Sequence, residues 1–157
     1  MRAGWVLLWL LLLQPAVADE ASDIIRTIDL NQPPASLALD ISEALGRGEW
    51  IGLLSDRSTR DERTAHFDFL GDPARFPLGP CIVAGMFKVP LICVFPLYVD
   101  GGYEVHCEII SAAADMPRDR RDEALRKYVG TFVSSLEKYV RQEPYNWFNF
   151  FDFWGRS

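Results

Sequence analysis

The sequence predicts an α/β domain: a central mixed sheet flanked by helices, with a long C-terminal helix and an aromatic tail. Three patterns carry this reading. The continuous apolar runs Trp50–Leu54 and Pro90–Val99 have the length and flanking breakers of strands buried in a sheet. Ala65, Phe67 and Phe69 alternate with Thr64, His66 and Asp68, and Tyr103, Val105, Cys107 and Ile109 alternate with Glu104, His106 and Glu108, the period of two that marks a strand. Leu125, Tyr128, Val129, Phe132, Leu136, Tyr139 and Val140 recur at three and four, the stripe of an amphipathic helix.

The elements follow in order. Ser22 to Asn31 carries Ile24, Ile25, Ile28 and Leu30 and reads as a short strand, stopped by Pro33-Pro34. From Ala35, the spacing of Leu37, Ile41, Ala44 and Leu45 predicts a helix that Gly46 and Gly48 close. Trp50–Leu54 reads as a strand buried on both faces, ended by Ser55-Asp56-Arg57 and a polar loop. A short helix is expected to start at Gly79-Pro80, because proline suits the first helical turn. Pro96 predicts that the run Pro90–Val99 bends or ends early, and Asp100-Gly101-Gly102 marks a hairpin turn. Pro144 ends the long helix that begins near Pro117. Leu53, Leu54, Phe67, Phe69, Ile92, Val94 and Val105 occupy the positions expected to face one core.

A chain of 157 residues holds one domain, and 49% apolar residues are ample for its core. The net charge of −6 excludes non-specific nucleic-acid binding, which draws on clustered Lys and Arg. The three cysteines, Cys81, Cys93 and Cys107, are odd in number and irregularly spaced, so they read as reduced thiols that pack as small hydrophobes. Glu104, His106 and Glu108 are too thin a ligand set for a metal, and no metal or cofactor is expected. At the N-terminus, Arg2 precedes the nine-residue apolar run Trp5–Leu13, then Gln14-Pro15 and Ala16-Val17-Ala18. Residues 1–18 therefore read as a signal-peptide-like or anchor leader, and 19–157 as the domain. The run is far shorter than the roughly 20 residues of a spanning helix.

Four blocks carry a family resemblance: Ser55-Asp56-Arg57, Phe69-Leu70-Gly71, Arg75-Phe76-Pro77-Leu78-Gly79-Pro80, and the C-terminal run from Pro144 to Trp154. With them the chain resembles the lysophospholipid acyltransferase superfamily, in its lipid A biosynthesis acyltransferase-like branch. The resemblance covers residues 23 to 154 and corresponds to the C-terminal half of that family's domain, so a partial acyltransferase-like domain is expected. It implies transfer of a fatty acyl chain from acyl carrier protein or coenzyme A to a lipid or glycolipid hydroxyl. It also implies a membrane surface as partner and a place at the cytoplasmic face of the inner membrane. The leader points instead to export, and an exported small α/β protein that binds an apolar ligand is the alternative reading.

The superfamily's chemistry rests on a His-x4-Asp or His-x4-Glu motif, whose His removes the proton of the acceptor hydroxyl. Five positions after His66 stands Gly71, and five after His106 stands Ser111. No catalytic residue is therefore assigned. The resemblance places the motif upstream of Asp23, which makes the chain a truncated relative without its base. The binding residues it implies are Asp56, Arg57, Arg75, Phe76, Pro77 and Gly79. Asp56 and Arg57 close a strand, where open α/β sheets place ligand crevices. Arg75 suits a phosphate or carboxylate. Phe76-Pro77-Leu78-Gly79-Pro80 leads to a helix start, whose backbone N–H groups suit a phosphate or a developing oxyanion. Seven of the ten residues from Tyr145 to Trp154 are aromatic, and this tail is expected to pack back on the domain rather than enter a membrane interface.

Overall fold

The computed structural model describes residues 26–57, 62–147, 149–150 and 152–155, together with the backbone of residues 5–9. The described residues form six strands and three α-helices: β1 (Trp5–Trp9), α1 (Pro34–Gly46), β2 (Trp50–Leu53), β3 (Thr64–Phe69), β4 (Asp72–Pro77), α2 (Gly79–Phe87), β5 (Leu91–Val99), β6 (Gly102–Ser111) and α3 (Arg121–Gln142). β2, β1, β5 and β6 form a mixed sheet in that order; β1 is parallel to both neighbours, and β6 is antiparallel to β5. β3 and β4 form a separate antiparallel hairpin.

The apolar run expected to serve as a leader contributes an interior strand. Trp5 to Leu8 register with Trp50 to Leu53 on one side, and Val6 to Trp9 register with Leu91 to Val94 on the other. The rest of residues 1–18 lies outside the described residues. The strand expected over Ser22–Asn31 is not found where the chain is described: residues 26–33 are irregular, and Asp29 Oδ1 accepts the backbone N–H of Asn31 in a local turn.

The helices line one face of the sheet. Ile51 of β2 and Leu91, Cys93, Phe95 and Leu97 of β5 share a core with Ile41 and Leu45 of α1, Cys81 and Ala84 of α2, and Leu125, Val129, Phe132 and Leu136 of α3. The alternate residues point the other way. Trp50 and Leu54 are half exposed, so β2 is buried on one face and not on both. On β6 the alternation has the opposite phase to that expected: Val105, with Tyr103 and Ile109, faces outward at 61% exposure, while Glu108 and His106 face α3. Phe69 is buried in this core as expected, and Leu53 and Phe67 are partly buried against it, but Ile92 and Val94 are buried on the opposite face of β5, outside it, so the seven expected positions do not share one core.

β5 runs straight through Pro96. β1 ends opposite Val94, and Pro96 stands beyond that end, where its missing N–H removes no bond to β1. Two residues farther on, the side-chain amide of Asn146 substitutes for a strand: Tyr98 N–H donates to its Oδ1 (2.6 Å), and its Nδ2 donates to Tyr98 C=O (3.2 Å). Both hairpins turn through two residues with positive φ, Leu70 (56°) with Gly71 (95°) and Asp100 (49°) with Gly101 (86°). This geometry matches strand twist and explains the glycine at each second position.

The tail divides. Trp147, Phe153 and Trp154 pack around Phe69 with ring centroids 5.2 to 6.3 Å away, and Phe153 also meets Phe76 at 5.6 Å. Tyr145 and Phe150 lie outside this cluster at 92% and 90% exposure. Among the described residues no helix is long and apolar enough to cross a membrane.

Candidate functional site

Parallel pairing places the carboxyl ends of β1, β2 and β5 on one edge of the sheet. Ser55, Asp56 and Arg57 follow β2 directly at that edge. α2 follows the β3–β4 hairpin and leads into β5.

Asp56 is 5% exposed although it ends a surface strand. Its carboxylate accepts from Arg57 Nε at 3.3 Å and from Nη2 at 3.2 Å, the two-pronged contact that a guanidinium makes best. The Arg57 side chain is 46% exposed, so this pair has a buried anion and an accessible cation. Ser55 Oγ is buried beside it and has no hydrogen-bond partner among the described residues.

The hairpin supplies the other predicted residues in different environments. Arg75 is exposed on β4 and opposite His66. Phe76, on the other face, is fully buried and meets Phe67, Phe69, Phe132 and Phe153 edge-on. Its side chain belongs to the core, and what it does for the edge is hold β4 in place. Pro77 is buried opposite Thr64 and ends the strand. Leu78 N–H then donates to Arg63 C=O at 2.8 Å, and Pro80 occupies the first turn of α2. At Gly79, Glu62 Oε1 lies 2.7 Å from the position a Cβ would take. A carboxylate therefore already rests against the helix start that suits an oxyanion, and a Cβ at Gly79 would require only that this flexible side chain swing away.

A second polar cluster joins β6 to α3. Glu108 accepts from Ser135 Oγ (2.5 Å), Tyr139 OH (2.8 Å) and Lys138 Nζ (2.9 Å). These donors, Ser135 first, pull the Glu108 carboxyl down to about 2. His106 lies against the Tyr139 ring at 4.9 Å, with Nε2 3.5 Å from Glu104. Sequence reading missed this clamp. Its signal was the spacing of Ser135, Lys138 and Tyr139 on one helical face, and the partner on β6 could be found only from the fold. Burial raises the Cys81 thiol to about 12 and pushes Cys93 up as well, so neither is poised as a nucleophile. Among the described residues no group of three or more His, Cys, Asp or Glu side chains could hold a metal ion.

The fold and this edge define a class: an α/β domain with a buried acid and an accessible arginine after a parallel strand. Residues 35–156 match the family model of bacterial lipid A biosynthesis acyltransferase, and the chain belongs to that family. The match takes in Ser55 to Arg57, the hairpin, α2 and the aromatic tail. No curated protein matches the chain.

Proposed function

We propose that this chain binds the substrates of a lipid acyl transfer and does not itself turn them over. The reaction of this reading moves a fatty acyl group from the thioester of acyl carrier protein or coenzyme A to a lipid or glycolipid hydroxyl. The C–S bond breaks, an ester C–O bond forms, and the hydroxyl proton leaves with a base. Arg57 and Arg75 offer accessible guanidinium groups for donor or acceptor phosphates, or for the carboxylates of a carrier protein. Asp56 orients Arg57, and Ser55 Oγ and the Gly79 N–H supply donors near the acyl carbonyl.

The observation that carries this reading is the family match over residues 35–156, which spans Asp56, Arg57 and Gly79. The missing turnover rests on the two histidines. His66 is exposed on β3, His106 lies against Tyr139, and neither has an acid five positions on. Loss of a general base costs typically ~10²–10⁴ in rate.

The inner membrane's cytoplasmic face is the proposed location. Two features support it. Cleavage after Ala18 would remove β1 from between β2 and β5, so the apolar run serves the fold better as a strand than as a leader. Tyr145 presents an exposed aromatic ring, which suits a membrane interface.

The test is an assay of the purified chain with both thioesters over a panel of lipid hydroxyls. The expected result is no ester product. Turnover that His66→Ala or His106→Ala abolishes would place a base within this chain and overturn the proposal.

A further inference from the structure

The fold leaves two stretches of strand backbone beyond their neighbours and treats them differently. On β5, past the end of β1, Asn146 takes up both backbone groups of Tyr98. On β6 the outer edge has no neighbouring strand among the described residues. β6 is ten residues long, Gly102–Ser111, and carries neither proline nor lysine, two of the means of blunting an edge; its charges, Glu104 and Glu108, stand on the face turned toward α3.

The polarity of that edge follows from the hairpin. Val99 and Gly102 flank the two-residue turn, and they form the closing hydrogen-bonded pair. Tyr98, the next residue on β5, bonds to Asn146 and so is not bonded to its opposite, Tyr103. Antiparallel ladders alternate between these two kinds of pair. The N–H and C=O of Tyr103, Val105, Cys107 and Ile109 therefore turn away from β5, and their side chains stand on the open face of the sheet. Tyr103, Val105 and Ile109 are 66%, 61% and 65% exposed, and Cys107 is exposed with them.

We propose that β6 pairs antiparallel with β6 of a second copy of this chain about a two-fold axis at Cys107, making one continuous eight-stranded sheet. The charges of β6 select this register. With the axis at His106, Glu104 would stand opposite Glu108 of the partner subunit, twice over, and like charges directly opposite are destabilising. With the axis at Val105, Ile109 would fall opposite the turn residue Gly101 of the partner subunit and lose its strand partner. With the axis at Cys107, His106 lies opposite Glu108 of the partner subunit, and Val105 opposite Ile109 of the partner subunit. Each of these contacts occurs twice, and residues 103 to 111 all pair. A two-fold interface of this kind is self-complementary and closed, so it ends at the dimer.

The register is read by thiol chemistry. Opposed residues of a hydrogen-bonded pair have Cα atoms about 5.5 Å apart, within the range a disulfide spans. Cys81 and Cys93 are buried and do not compete. Sedimentation equilibrium of the purified chain should give twice the chain mass, with dissociation on dilution. Mild oxidation should link two chains through Cys107 alone. Cys107→Lys, which opposes two ammonium groups at the axis, should give a monomer with an unchanged circular dichroism spectrum. In a Cys107→Ser background, Val105→Cys and Ile109→Cys chains should cross-link when mixed. Val105→Cys chains alone should not, because four residues of extended strand separate the two copies by about 13 Å. A monomer at every concentration, an aggregate with no dimer, a dimer that survives Cys107→Lys, or efficient cross-linking of Val105→Cys chains alone would each overturn the proposal.

Discussion

Asn146 closes the inner edge of β5 by bonding both backbone groups of Tyr98, at 2.6 and 3.2 Å. The residue comes from the turn after α3, 48 positions along the chain, so one amide ties the C-terminal segment to the sheet where β1 has stopped. Asn146→Ala should therefore destabilise the domain by about 1–3 kcal/mol, the cost of leaving strand groups unsatisfied. Urea unfolding measures it, and an unchanged midpoint would show that water replaces the amide without loss.

Phe76 is fully buried at the centre of four rings, from Phe67, Phe69, Phe132 and Phe153. Phe76→Ala should cost about 3–5 kcal/mol. Near-ultraviolet circular dichroism should lose its aromatic signal at the same time, since the tail packs through this cluster. A variant of wild-type stability would mean that the tail is held elsewhere.

The order β2-β1-β5-β6 makes a prediction about residues 1–18. A chain that starts at Asp19 lacks the strand between β2 and β5, so it should lose cooperative unfolding. A cleavable leader would leave the remaining domain intact, and cooperative unfolding of the shortened chain would show that β1 is dispensable.

Glu108 gives the pH dependence. Its carboxyl is held at about 2 by Ser135, Lys138 and Tyr139, below the ordinary 4.5. A folded value below the unfolded one adds stability that is present in full above about pH 4.5 and is lost as the pH falls toward 2. The urea midpoint should fall across that window, and Glu108→Gln should flatten the fall. Identical slopes for the two proteins would assign the acid sensitivity to other carboxylates.

Much of this fold is legible in the residues because the signals are local. The three-and-four stripe from Leu125 to Val140 defines α3, Asp100-Gly101 defines its hairpin, and Gly79-Pro80 starts α2. What escapes the sequence depends on neighbours. The run Trp5–Trp9 is apolar enough for a leader or for a strand, and its pairing with β2 and β5 cannot be read from the run itself. Alternation on β6 shows two faces without saying which one α3 covers, so Val105 was expected inside and Glu108 outside. Pro96 reads as a breaker until the end of β1 is known. At the candidate site, Asp56 and Arg57 are visible as a charged step after an apolar run. The burial of Asp56 and Ser55 and the carboxylate of Glu62 against Gly79 are tertiary facts that no spacing encodes.

The central claim is that the acyl donor binds at Asp56, Arg57 and the start of α2. A fatty acyl thioester with a photoreactive group near its carbonyl, cross-linked to the chain and mapped by mass spectrometry, tests it directly. Labelling should fall in residues 55–57 and 75–80 and be at least tenfold weaker in Arg57→Ala, an effect of about 1.4 kcal/mol or more in binding. Labelling confined to the apolar cleft between Phe95, Tyr139 and Trp147, unchanged by Arg57→Ala, would contradict it.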